Sequence, residues 1–191
     1  MMSSKIPGLA ILTAAASLAA QDKPIDVQRS TITIHVGKAG MFSAAGHEHW
    51  VEAPIASGVL SESSASRVEF KVETARMKVR RDPKVNEKDQ AQIQKDMETM
   101  TLDTAKYPEI AFRSSRIEKL GEGQWKVEGM LSLHGVTQPV SLIVKRNGDA
   151  YAGHVTIKQS DFGIKPVSVG GGMVKVKNEV DIDFQIFARA A

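Results

Sequence analysis

Residues 125–144 constrain the fold of this chain more than any other stretch of its sequence. The apolar side chains before residue 135 fall on one alternating set of positions, and the polar side chains fall on the other. The apolar set is Trp125, Val127, Leu131 and Leu133, and after a corner at residues 135–139 it continues with Val140, Leu142 and Val144. A period of two is typical of an extended strand with one buried face, so the stretch predicts an antiparallel hairpin. An isolated hairpin is at best marginally stable in water, so other strands must cover its apolar face.

The same alternation recurs along the chain and predicts about eight strands in total. The further strands are expected at 30–36, 51–60, 68–72, 110–117, 151–157 and 174–186, and Asn147–Gly148 predicts a two-residue turn. One region differs, because residues 82–100 combine strong helix formers with apolar residues three and four positions apart. That spacing predicts an amphipathic helix between the third and fourth strands, with Asn86 or Asp89 as its N-cap.

Antiparallel strands in this number close into an up-and-down barrel that leaves no exposed edges, and an open two-sheet sandwich is the alternative. The interior of an eight-stranded barrel is either filled by side chains or holds one small ligand. The inward positions here are mainly Val, Ile, Leu and Phe, but Ser114, Gly129 and Gly153 fall where large residues are expected. Small inward residues are expected to leave space. Filling of that space by the helix or by neighbouring side chains remains the alternative.

The first nineteen residues are predicted to be a secretory signal peptide, and residues 20–191 a single domain. Lys5 precedes an apolar run, small residues occupy 17–19, and polar residues follow at once from Gln21 to Lys23. The run is shorter than a membrane span.

Cysteine is absent, so the fold depends on its core alone. The formal net charge of +3 comes from scattered residues, and nucleic-acid binding is not expected.

Three motifs, in order along the chain, resemble those of the YceI-like proteins. They are YPEIAFRS at 107–114, GMLSLHGVTQPV at 129–140 and DFGI at 161–164, and the resemblance extends over about residues 27–187. It implies an exported, periplasmic protein with a lipocalin-like β-barrel, which the eight predicted strands would form. It also implies a long apolar ligand in the barrel, typically a polyisoprenoid or a fatty-acyl lipid.

The first functional hypothesis is therefore a secreted carrier that sequesters such a lipid, with no cofactor and no catalytic residues. Affinity would come from burying methylene groups, at about 0.8 kcal/mol each before ordering costs. The candidate lining residues are Phe42, Phe70, Phe112, Leu131, Leu133, Leu142, Phe162 and Phe184.

The second hypothesis is a metal-binding protein or metal-dependent enzyme centred on His47 and His49. Histidines two apart in an extended segment project to the same side, as metal ligands do, but a third donor must come from elsewhere. Hydrogen bonding of both rings to backbone or to a ligand headgroup is the alternative. A third hypothesis is an interaction module with a filled core. The sequence leaves open whether the chain forms a homodimer.

Overall fold

The computed structural model describes residues 22–40, 48–62, 66–169 and 174–189, which form one curled sheet with one α-helix. The strands in these ranges are β1 (Lys23–Pro24), β2 (Thr31–Ala39), β3 (His49–Glu52), β4 (Ile55–Ser61), β5 (Arg67–Glu73), β6 (Lys78–Val79), β7 (Glu109–Gly121), β8 (Gln124–Leu133), β9 (Val136–Asn147), β10 (Ala150–Lys158), β11 (Ser168–Val169) and β12 (Val174–Phe187). Helix α1 (Glu87–Asp96) continues into a π-helical turn, Met97–Thr101. Single 3₁₀ turns occur at Thr74–Arg76 and Gln159–Phe162.

All the strand pairs are antiparallel, and the order across the sheet is β1-β4-β5-β7-β8-β9-β10-β12-β2-β3-β6, with β11 beside β12. The sheet curls until the edge strand β1 reaches the end of β12, where Ile25 forms a bridge with Ala188. Two backbone hydrogen bonds of 2.8 Å support this junction, from Asp26 N–H to Phe187 and from Arg189 N–H to Pro24. The predicted barrel-like, all-β fold is confirmed.

The predicted count of eight strands is wrong, because the described residues form twelve. Three of these strands contain only two residues, too few for an alternating pattern to reveal. The single strand expected at 51–60 is two strands, because the chain leaves β3 at Ala53–Pro54 and enters β4 at Ile55. Proline has no N–H for a ladder hydrogen bond, so it falls where the pairing is interrupted.

The hairpin that organises the chain forms as predicted, with a tighter turn. Leu133 pairs with Val136, so the connector is His134–Gly135 and not the whole of 135–139. Both turn residues have positive φ, 53° for His134 and 76° for Gly135. This conformation matches the twist of the flanking strands, and a tyrosine ring leaves no room for a side chain at Gly135, whose Cβ would lie 2.6 Å from Tyr107.

The space beside the small inward glycines is filled by neighbouring side chains, which is the second of the two alternatives. A Cβ at Gly129 would lie 2.5 Å from the Phe112 ring, and one at Gly153 would lie 2.4 Å from the Phe184 ring. Each glycine therefore makes room for an aromatic ring of the neighbouring strand. Ser114 accepts a hydrogen bond from the Val68 N–H at 3.0 Å.

Helix α1 begins at the predicted N-cap, where the Asn86 side chain accepts the Asp89 N–H at 2.9 Å. No residue of α1 is buried. The helix is attached to β6 by polar bonds, because Gln94 donates to the Met77 carbonyl (3.0 Å) and accepts the Val79 N–H (2.8 Å). The apolar residues that follow, Met97 and Leu102, reach the interior.

Candidate ligand-binding site

The curled sheet encloses a cavity of about 250 Å³ that is lined almost entirely by hydrocarbon side chains. Strands β2 to β5, β7 to β10 and β12 all contribute to the lining. Several inward side chains are only half-buried, among them Ile34, Leu131, Val155 and Ile182. They keep accessible surface although they point away from the outside, because that surface faces the cavity.

The structure brings six of the predicted lining residues to this cavity: Phe70, Phe112, Leu131, Leu133, Leu142 and Phe184. Phe162 does not line the cavity. It belongs to the packed core, where it is only 1% exposed. Phe42 lies outside the described residues. The prediction missed Met97 and Leu102, which no strand periodicity could reveal because they follow the helix.

The two ends of the cavity differ in chemistry. One end, named the mouth here, includes Ser61, Glu62, Ser66, Arg67 and Tyr151. Glu62 and Arg67 are exposed residues that also line the cavity, so the cavity reaches the surface at the mouth. The opposite end follows the last residue of β10 and is covered by the segment after α1, with Met97, Thr101, Leu102 and Gln159 in the lining.

A hydrogen-bonded group of side chains spans the mouth. The Tyr151 hydroxyl donates to the Glu62 carboxylate, whose second oxygen lies 3.7 Å from an Arg146 guanidinium nitrogen. The Arg146 guanidinium carbon lies 5.6 Å from the centre of the Tyr151 ring, and the Trp125 ring centre lies 5.7 Å from the same ring. These contacts join the end of β4 to β8, β9 and β10 across the opening.

Two carboxylates also face Arg67, the arginine that lines the mouth. Arg67 donates to both carboxylate oxygens of Asp22, through its Nε to Oδ1 at 3.0 Å and through its Nη2 to Oδ2. Glu69 lies 3.5 Å from Arg67 on the other side. The hydrogen bonds from Arg67 lower the pKa of the Asp22 carboxyl, and those same bonds raise the pKa of Arg67.

Comparison with known proteins identifies the family. The model of the YceI-like domain matches residues 24–188. The chain belongs to the YceI-like family. A UPF0312 protein of Pseudomonas savastanoi pv. phaseolicola is 36% identical over 94 residues, which cover 44% of this chain and 47% of that protein. A UPF0312 protein of Shewanella denitrificans is 30% identical over 92 residues, covering 43% and 48%. The aligned region thus spans about half the length of these relatives.

Solved structures support the same YceI-like fold. A polyisoprenoid binding domain from Saccharophagus degradans, implicated in plant cell wall breakdown, matches with a TM-score of 0.61 at 15% identity, covering 88% of this chain and 98% of that one. BcnA of Burkholderia cenocepacia matches with a TM-score of 0.58 at 19% identity, covering 86% and 99%. Among the described residues, no helix has the length and apolar character needed to cross a bilayer.

The three YceI-like motifs meet at one point of the fold, beside the covered end of the cavity. The Tyr107 ring packs on His134 with ring centres 4.3 Å apart, and His134 Nδ1 lies 3.3 Å from the Phe162 carbonyl oxygen. Gln138 donates to the Asp161 carbonyl at 2.9 Å. These contacts therefore fasten the β8–β9 hairpin to the turn after β10. Other residues of the same motifs, among them Phe112, Leu131 and Leu133, line the cavity.

The histidine pair predicted to bind metal is only partly described. His47 lies outside the described residues, and His49 is a half-buried residue that begins β3 opposite Val36. Across the described parts of the chain, no three His, Asp or Glu side chains are grouped to hold a metal ion. Glu48 lies 3.2 Å from His35, which stacks on Trp50. A metal site that includes His47 stays a prediction.

Proposed function

We propose that this protein binds a long apolar ligand, a polyisoprenoid or fatty-acyl lipid, inside the curled sheet and carries it without chemical change. One observation supports this most strongly, which is the hydrocarbon-lined cavity of about 250 Å³ with one end at the surface. Membership of the YceI-like family and the fold shared with a polyisoprenoid binding domain support the same ligand class. Hydrocarbon side chains supply no acid, base or nucleophile, which favours carriage over catalysis.

The cavity volume indicates how much chain it takes in. A protein cavity of roughly 150 Å³ binds benzene, so this cavity has room for about ten carbon atoms by the same ratio. Ten methylene groups transferred from water contribute about 8 kcal/mol before association and ordering costs are subtracted. The remainder of a longer chain then extends through the mouth.

We also propose that the protein is exported to the periplasm after loss of residues 1–19. The apolar run that follows Lys5, with small residues before position 20, supports this location. N-terminal sequencing of the protein recovered from a periplasmic fraction tests the proposal. A protein that keeps its first residues and remains in the cytoplasmic fraction contradicts it.

The binding function is tested by native mass spectrometry of protein purified without denaturation. We expect a bound lipid, or uptake of an added apolar chain after delipidation. The variant Leu131→Asn should bind much less, because its amide enters the apolar cavity. Met130→Asn is the matched control, since Met130 is the adjacent residue on the outer face and is 41% exposed. A clean apo mass together with no uptake of any apolar chain refutes the proposal.

A further inference from the structure

The charged side chains of the cavity lining gather at one end. Within the described residues, the ionised groups that line the cavity are Glu62 and Arg67, and both belong to the mouth. The rest of the lining is nearly all hydrocarbon. An amphiphile of about ten carbon atoms, whose chain the cavity encloses in full, therefore places its polar headgroup beside these residues, so the mouth determines which headgroup is accepted.

Glu62 is the acceptor at the mouth. Its carboxylate already accepts the phenolic O–H of Tyr151, and its side chain keeps 42% exposure. A carboxylate has two oxygens with about four lone-pair directions, so this group can accept a second O–H. The bond from Tyr151 shows that the Glu62 carboxylate is oriented to accept a hydroxyl proton at the mouth.

Arg67 in the mouth and Arg146 beside it already face carboxylates. Arg67 is engaged by Asp22 and lies 3.5 Å from Glu69. Arg146 lies 3.7 Å from Glu62, and its Nε donates to the Gly148 carbonyl at 3.3 Å. An anionic headgroup would have to displace these carboxylates and would be repelled by Glu62. A cationic headgroup would be attracted by Glu62 but repelled by Arg146.

We propose that the mouth selects amphiphiles with an uncharged hydroxyl headgroup, an alcohol or a phenol. The hydroxyl donates its proton to the Glu62 carboxylate, and its oxygen accepts from the Arg146 guanidinium. A carboxylate headgroup has no such proton to donate at neutral pH, and the negative charge of a phosphate is repelled by Glu62. This inference rests on the proposed function, because it requires the chain of the ligand to lie in the cavity.

The test is displacement of a fluorescent apolar probe at pH 7 by four ligands with the same ten-carbon chain. These are decanol, its methyl ether, decanoate and decylammonium. We expect decanol to bind about tenfold more tightly than decanoate, because the Glu62 carboxylate repels a second carboxylate about 4 Å away at a protein surface. Decylammonium should bind no better than decanol, because its attraction to Glu62 is offset by repulsion from Arg146. The ether should bind more weakly than decanol, because it cannot donate to Glu62.

Glu62→Gln identifies the group responsible. It keeps the size and removes the charge, so the preference of decanol over decanoate should shrink to within about threefold. Glu122→Gln is the matched control, because Glu122 is an exposed residue in the β7–β8 turn outside the lining. It changes the net charge equally and should retain the wild-type preference.

The outcomes separate the two proposals. If none of the ligands displaces the probe, the binding function itself fails. If all four bind equally well, or if decanoate or decylammonium binds best, the cavity binds chains and the headgroup inference is wrong. An unchanged preference in Glu62→Gln would also overturn the role assigned to that carboxylate.

Discussion

Replacing Leu142 by tryptophan tests whether the interior has the space that a ligand needs. Leu142 lines the cavity from the middle of β9 and is half-buried, while the next residue, Ile143, lies on the outer face and is 39% exposed. The indole adds about six non-hydrogen atoms, which occupy roughly 150 Å³ at the ratio of benzene to its cavity. Of the 250 Å³ present, the variant would keep room for only about four carbon atoms.

The loss of space translates into a loss of affinity. About six fewer methylene groups would be buried, which corresponds to about 5 kcal/mol of gross binding free energy. Because the cavity walls relax in part, we expect the dissociation constant for decanol to rise by at least about a hundredfold. The free energy of unfolding should stay the same or increase, since the added atoms enter empty space. In a filled core, the same change would cost about 1–3 kcal/mol.

Two measurements check the prediction, isothermal titration with decanol and chemical denaturation of the ligand-free protein. Ile143→Trp is the control, because it places the same side chain one residue away on the outside, where affinity should be unaffected. If Leu142→Trp bound decanol like the wild type, the cavity would not be the binding site. If Leu142→Trp were destabilised by several kcal/mol, the interior would be packed.

Other consequences concern stability. Phe162→Ala should lower the free energy of unfolding by about 3–5 kcal/mol and leave the affinity of the folded protein unchanged, because Phe162 is in the packed core and not in the lining; denaturant unfolding and titration together check this. Gly153→Ala should cost about 1–3 kcal/mol in the same unfolding assay, because its Cβ would meet the Phe184 ring. Hydrogen bonds from Arg67 lower the pKa of Asp22 in the folded state, so their stabilisation is present above about pH 4 and is lost as the pH falls below that value. The difference in stability between wild type and Asp22→Asn should therefore disappear in acid, and a constant difference across the titration would contradict this.

Much of the cavity lining could be predicted from the sequence, because alternation in a strand is a local property. Leu131, Leu142 and Phe184 occupy inward positions of strands whose period of two survives in the structure. Phe162 was misplaced because it lies in a 3₁₀ turn, where no alternation indicates which way a side chain points. An apolar residue in such a turn can pack into a core as well as line a cavity.

Contacts between residues on different strands could not be predicted from the sequence. Whether Gly153 leaves a void depends on its register with Phe184, and alternation within a strand says nothing about register between strands. The bond between Glu62 and Tyr151 joins residues 89 positions apart and depends on how far the sheet curls. Pro54 indicates an edge or a bulge, but the complete break between β3 and β4 became clear only in the structure.

The most direct test of the account is a chain-length series of n-alkanols, titrated into delipidated protein by calorimetry. Each added methylene group buries more hydrocarbon, so the affinity should increase about fourfold per carbon. The increase should level off near about ten carbons, where the cavity is full. An affinity that does not change with chain length, or the absence of binding for every alkanol, would contradict the claim that this interior holds an apolar chain.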